Sequence, residues 1–194
     1  MYLENGWLKL ERGVLRVPSI SVRHLCSPNF NRRPIEAKVS LVVIHNISLP
    51  PEQFGGGYIE QFFCNQLCWD KHPYFETIRG VEVSAHFLVS REGNITQFVS
   101  TENRAWHAGK SSFDGEDDCN NYSIGIELEG ADNTPYEQPQ YCSTVELIKA
   151  LKKSYPDIHN ERITGHEHIA PGRKTDPGPA FDWKKLIEHL QGGS

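Results

Sequence analysis

Val39 to Asn46 reads VSLVVIHN. Branched side chains dominate the run, and their stiffness at χ1 favours an extended chain. Apart from Ser40, Val39–Ile44 is apolar throughout. It lacks the alternation of a strand with one wet face, so it reads as a strand buried on both faces. Such a strand needs a sheet covered by further layers. It ends at His45-Asn46, a polar pair held by a rigid element and so well placed for a site. A histidine merely hydrogen-bonded at a strand end would leave the same trace.

Working outward, Ser123–Glu129 (SIGIELE) alternates, with Ile124, Ile126 and Leu128 on one face and Gly125, Glu127 and Glu129 on the other. Two acids on one face flank a reaction centre or face water, and Gly125 between them lets a substrate or another backbone come close. Val83–Val89 and Ile95–Val99 read as a hairpin around SREGN, with His86 inside its first strand. A helix is expected over roughly 58–70, with Ile59, Phe62, Phe63 and Leu67 on one side, ended by His72-Pro73. Its face would carry both Cys64 and Cys68. The clearest helix spans Glu137–Tyr155, with Tyr141, Val145, Ile148, Leu151 and Tyr155 as its apolar stripe and Pro156 as its stop. A last helix starts after Asp182, which suits an N-cap, and turns Trp183, Leu186, Ile187 and Leu190 inward. Residues 1–38 contain Pro18, Pro28, Pro34 and Arg32-Arg33, and read as an arm packed on the domain through Trp7 and Leu8. This order predicts an α/β (α+β) single domain, a mixed central β-sheet flanked by helices.

The length, 194 residues, suits one domain with one substantial core. A net charge of -5, with no basic stripe, argues against nucleic acid as a partner. No apolar run reaches bilayer length, so no membrane contact is expected. The N-terminus mixes acids and bases without an apolar stretch, and the five cysteines are odd in number, so a cytoplasmic chain with reduced thiols is expected.

Thr164–Pro179 (TGHEHIAPGRKTDPGP) carries two imidazoles, a carboxylate, two cations and three prolines. Breakers at that density predict a stiff loop, not a helix or central strand. Metal-ligand side chains and cations on such a loop point to a site. A catalytic zinc takes three protein ligands and leaves one position open. The candidates are His45, His86, His107, His166, His168 and Asp176, and spacing alone does not choose among them. His166 and His168 would point opposite ways in an extended segment, so only one would face a metal. Glu127 suits a general base and Lys174 an oxyanion stabiliser. In RAWHAG, residues 104–109, Trp106 offers a stacking surface beside His107, unless it is a core residue.

VVIHNISLPP (42–51), SAHFLV (84–89), RAWHAG (104–109), CNNYSIGIELEG (119–130) and the 164–179 segment followed by FDW resemble the AmpD-type N-acetylmuramoyl-L-alanine amidases. That family is related to the peptidoglycan recognition proteins and the phage amidase lysozymes. The resemblance implies an amidase/PGRP-like fold, with a zinc amidase domain over 39–194 behind the 1–38 arm. It implies one zinc ion on His45, His166 and Asp176, with Glu127 as base and Lys174 stabilising the transition state. Asn46, Trp106, His86, His107, Arg104 and Arg173 are implied to contact or support the substrate, and His168 is not implied as a ligand. The reaction implied is hydrolysis of the amide between N-acetylmuramic acid, preferably the 1,6-anhydro form, and L-alanine of muropeptides, during cytoplasmic peptidoglycan recycling. A monomer is the expected state. The sequence departs from these relatives at Glu82 and Asp118, where they carry basic residues, which should weaken the attraction for substrate carboxylates.

Overall fold

A computed structural model describes residues 1–11 and 20–192. Pro18 of the expected arm lies outside the described residues. In chain order the strands are β1 (Tyr2–Glu4), β2 (Trp7–Lys9), β3 (Val22–His24), β4 (Phe30–Arg32), β5 (Leu41–Ile47), β6 (Phe87–Val89), β7 (Ile95–Gln97), β8 (Asn103–Ala105), β9 (Ser112–Phe113), β10 (Glu116–Asp117), β11 (Ser123–Glu129) and β12 (Ile163–Gly165). The helices are α1 (Tyr58–Phe63), α2 (Pro73–Thr77), α3 (Gln138–Ser154), α4 (His166–Ile169) and α5 (Trp183–Leu190).

The central sheet has six strands in the order β12-β5-β11-β6-β7-β3. β12, β5, β11 and β6 run parallel, whereas β7 is antiparallel to β6 and parallel to β3. This is the mixed sheet expected from the sequence. The pleat sorts the side chains of its two longest strands. Val42 and Ile44 of β5 join Ile124, Ile126 and Leu128 of β11 in the core beneath α3, with Val145, Ile148 and Leu151 above them. Leu41 and Val43 turn the other way, against Ala108, Tyr122 and Ile169. Each such side chain taken from water stabilises the fold by roughly 1.5–3 kcal/mol. Because the period is two, His45 and Glu127 must emerge opposite α3, and that face carries the site.

α3 begins with a capping box, in which Gln140 Oε1 accepts the Glu137 backbone N–H at 3.0 Å, and Lys152 and Lys153 sit in its last turn. Asp182 caps α5 by accepting from the Lys185 N–H at 2.9 Å. On the N-terminal arm, β1 and β2 form a hairpin, β3 extends the central sheet, and β4 pairs with β8. Leu8 is buried and Trp7 half-buried.

Four local expectations change. The helix expected over 58–70 ends at Phe63, because Asn65 takes a left-handed conformation (φ 57°). Cys64 is therefore buried and Cys68 exposed, without a shared helix face. Pro73 opens a helix instead of ending one: its missing N–H falls where no intrahelical acceptor exists, and His72 Nδ1 accepts from the Tyr74 N–H. His86 lies just before β6, although its N–H still donates to the Gly125 carbonyl. The 164–179 segment is not loop throughout. Thr164-Gly165 close the edge strand β12, and His166–Ile169 make one helical turn before the breakers begin at Pro171.

Candidate active site

The parallel register brings the site together. Glu127 on β11 stands opposite His45 on β5, and Gly165 on β12 stands opposite Ile44, so His166 follows at the level of His45. All three lie toward the carboxyl ends of adjacent parallel strands, where open α/β sheets bind ligands. The chain after α4 then folds back. The Lys174 N–H donates to the Ala170 carbonyl, and the Glu167 N–H to the Asp176 carbonyl, which returns Asp176 to the strand ends.

His45 Nδ1, His166 Nδ1 and Asp176 Oδ2 form a tight triangle, with edges of 3.0, 3.1 and 3.0 Å. His166 Nε2 lies 3.1 Å from the Ala108 carbonyl, which can only accept. His166 Nε2 therefore carries a proton, and in the neutral tautomer that this allows, Nδ1 would turn a lone pair to a metal at the triangle. Burial lowers the His45 pKa to about 4, against the pull of Asp176, so its imidazole is neutral near pH 7. Burial also pushes the Asp176 carboxyl up, but the contacts with His166 and His45 outweigh it and hold the group well below the usual range. A neutral imidazole, as at His45, and an ionised carboxylate, as at Asp176, are protonation states that metal ligands need. Three converging lone-pair donors of nitrogen and oxygen type fit a metal ion, and three protein ligands with an open side describe a catalytic site.

Glu127 is 8 % exposed, and its Oε2 has no hydrogen-bond partner among the described residues. Burial, then the nearby Asp176 carboxylate, raises its pKa well above the ordinary value, with Lys174 opposing. A proton-hungry carboxyl without a structural partner is suited to acid–base work. The cleft above it, of about 400 Å³, is also lined by Lys174, His107 and Trp106. Ile47, Leu49, Phe62 and Ile78 give it an apolar wall.

The expected substrate contacts divide. Asn46, Trp106 and His107 line the cleft. Asn46 donates to Asp132 Oδ1 at 2.8 Å and to the Pro177 carbonyl at 3.1 Å, which ties β5 to the returning loop. Trp106 is half-buried, with its Nε1 donating to Asn31 Oδ1. His86, Arg104 and Arg173 are not among the residues that line this cleft. His86 is fully buried, with Nδ1 accepting from the Gly125 N–H and Nε2 beside the Asn103 carbonyl. Arg104 is held by Asn121 and Asn31. Arg173 donates to the Ala108 and Lys110 carbonyls. His168 lies on the exposed side of α4, away from the triangle, as expected, because residues two apart on a helix diverge almost as widely as on a strand. Glu82 and Asp118 are exposed, Glu82 between the cleft-lining Val81 and Val83.

Sequence reasoning missed the support layer. Asn120 Oδ1 accepts the N–H groups of both His107 and Ala108, and so fixes the segment facing both histidines of the triangle. Arg33 threads under the site and donates to the carbonyls of Thr101, Asn120, Asn121 and Ser123. Neither residue lies on a strand or α-helix, and the available signals were the basic pair in the arm and the place of Asn120 in the CNNYSIGIELEG motif.

The N-acetylmuramoyl-L-alanine amidase family matches residues 35–179. A 1,6-anhydro-N-acetylmuramyl-L-alanine amidase AmpD from Haemophilus influenzae is 48% identical over 182 residues, covering 94% of this chain and 97% of that protein. A crystal structure of an AmpD derivative superposes with a TM-score of 0.88 at 45% identity, covering 96% of this chain and 98% of the other. The amidase AmiD from Escherichia coli, solved with its substrate anhydro-N-acetylmuramic acid-L-Ala-D-γ-Glu-L-Lys, matches at a TM-score of 0.57 and 29% identity, covering 81% of this chain and 60% of that one.

Proposed function

The chain belongs to the N-acetylmuramoyl-L-alanine amidases, of the AmpD type, and from that premise we propose that it is a zinc hydrolase of recycled muropeptides. Its substrate in this reading is 1,6-anhydro-N-acetylmuramic acid joined to a peptide through L-alanine, and the bond cut is that amide. The name of the AmpD relative and the ligand held by AmiD support this substrate. The proposal extends to cytoplasmic wall recycling, to a monomer, and to an amidase domain over 39–194 carrying 1–38 as an arm.

The observation that carries the reading is the His45–His166–Asp176 triangle beside a buried carboxyl with an unsatisfied oxygen. His45, His166 and Asp176 would hold the zinc ion. Zinc there supplies Lewis acidity, which polarises a carbonyl and makes water acidic near pH 7. Glu127 takes the proton from the attacking water and returns it to the departing L-alanine nitrogen. Its raised pKa suits both halves of that transfer. Lys174 lines the same cleft, and its ammonium would face the carbonyl oxygen as negative charge develops there. The apolar wall lowers the local dielectric and so strengthens both charge interactions.

The test is peptide release from 1,6-anhydro-N-acetylmuramoyl-tripeptide, measured before chelation, after chelation and after zinc is restored. Release that stops on chelation and returns with zinc is expected. A protein that binds zinc yet releases no peptide from this substrate would overturn the proposed activity.

A further inference from the structure

His107 belongs neither to the metal triangle nor to the proton-transfer pair, yet the fold builds a seat for it. Its ring lies on β11 where Gly125 carries no side chain, and a Cβ there would fall 2.5 Å from His107 Cγ. Its Nε2 lies 3.0 Å from Ser123 Oγ on the same strand, and its Nδ1 lies 2.9 Å from His45 Nε2. The His45 and His107 rings meet edge to face, with centroids 5.1 Å apart at 87°. The backbone N–H groups of His107 and Ala108 are pinned together on Asn120 Oδ1. Two consecutive residues on one anchor thus face the outer nitrogens of both imidazoles in the triangle. The Ala108 carbonyl faces His166 Nε2, and His107 Nδ1 faces His45 Nε2.

A carbonyl can only accept, so the His166 tautomer is settled by chemistry. An imidazole nitrogen can accept or donate, so His45 depends on which nitrogen of His107 carries the proton. We infer that His107 is a positioning residue: it accepts the Nε2 proton of His45 at Nδ1, donates its own Nε2 proton to Ser123 Oγ, and so keeps the His45 Nδ1 lone pair turned toward the metal. The opposite arrangement, with the His107 proton on Nδ1, would force a proton onto His45 Nδ1 and block one ligand. Outer partners of this kind commonly govern metal affinity about 10–100-fold.

The inference rests on the zinc reading, and its test separates the two. Zinc affinity is measured by competition with a chromophoric chelator for the wild type, His107→Leu, His107→Asn and Gly125→Ala, with the melting temperature of each recorded. His107→Leu removes the acceptor and should weaken zinc binding about 10–100-fold. His107→Asn puts an amide oxygen near the former Nδ1 and should recover most of that loss. Gly125→Ala pushes the ring off its seat and should weaken binding with every polar atom retained. In the zinc-loaded wild type, nitrogen-15 NMR should find the His107 proton on Nε2. Equal zinc affinity in the wild type and His107→Leu would overturn the inference and leave the zinc reading intact, as would a His107 proton found on Nδ1. A wild type that takes up no zinc would overturn both. The NMR result needs only the wild type, so a variant that fails to fold does not protect the idea.

Discussion

Replacing Glu127 by glutamine should separate catalysis from stability. The carboxyl is buried, Oε2 lacks a partner, and burial raises its pKa well above the ordinary value. A folded-state pKa above the unfolded one means that the folded protein holds this proton more tightly. The stability linked to the group is therefore whole below about pH 4.3 and is lost as pH rises toward the folded-state pKa, at up to about 1.4 kcal/mol per unit. Glutamine keeps the shape and does not ionise. Metal-free protein is the right sample, because a bound cation would itself stabilise the carboxylate. Urea unfolding at pH 4.5, 6 and 7.5 should find Glu127→Gln level with the wild type at the lowest pH. It should be the more stable of the two at the highest, by up to about 1.4 kcal/mol for each pH unit between the unfolded and folded pKa values. With zinc bound, turnover of the anhydromuramoyl-tripeptide should fall about 10²–10⁴-fold, the contribution of a positioned base. Parallel stability curves, or turnover within tenfold of the wild type, would refute the role given to this carboxyl.

Lys174→Ala should lower turnover about 100-fold or more while leaving zinc stoichiometry unchanged by atomic absorption. Asp176→Ala should lose the zinc itself, and full retention would remove Asp176 from the ligand set. His86 is held at about 3, first by burial and then by Arg33, so the unfolded chain binds more protons between that value and about 6.5. Stability from this group is lost as pH falls through the window, about 2 kcal/mol between pH 7.5 and 5. The wild type should therefore fall more steeply than His86→Gln in urea melts, and equal slopes would contradict the assignment. Arg33→Met strands carbonyls of Thr101, Asn120, Asn121 and Ser123 and should cost about 3 kcal/mol in the same assay, whereas a change under about 0.5 kcal/mol would show that water replaces the guanidinium.

Much of the fold was legible because hydrophobic period is a local property. The unbroken run at Val39–Ile44 marked a strand covered on both faces, and β5 is packed between two clusters. The alternation in SIGIELE separated Ile124, Ile126 and Leu128 from Glu127, and the pleat keeps that division. Where periodicity competed with backbone geometry it misled. The apolar spacing of 58–70 looked helical, but the left-handed Asn65 ends the helix early, and no residue spacing announces that bend. His86, Arg104 and Arg173 carried the right chemistry for a substrate and are spent on backbone and side-chain partners below or beside the cleft.

The sequence by itself determined which strands and long helices form and which residue types the site contains. It did so because side-chain period, breakers and motifs are written along the chain. Spacing left six candidate ligands open and only the motif resemblance singled out three, whereas their meeting is the work of the tertiary structure. His45 and Asp176 lie 131 positions apart, and only the parallel register of β12, β5 and β11, with the turn after α4, brings them to 3.1 Å. The lone pairs they present are decided there as well, by the Ala108 carbonyl and His107, since a histidine's tautomer belongs to its neighbours in space.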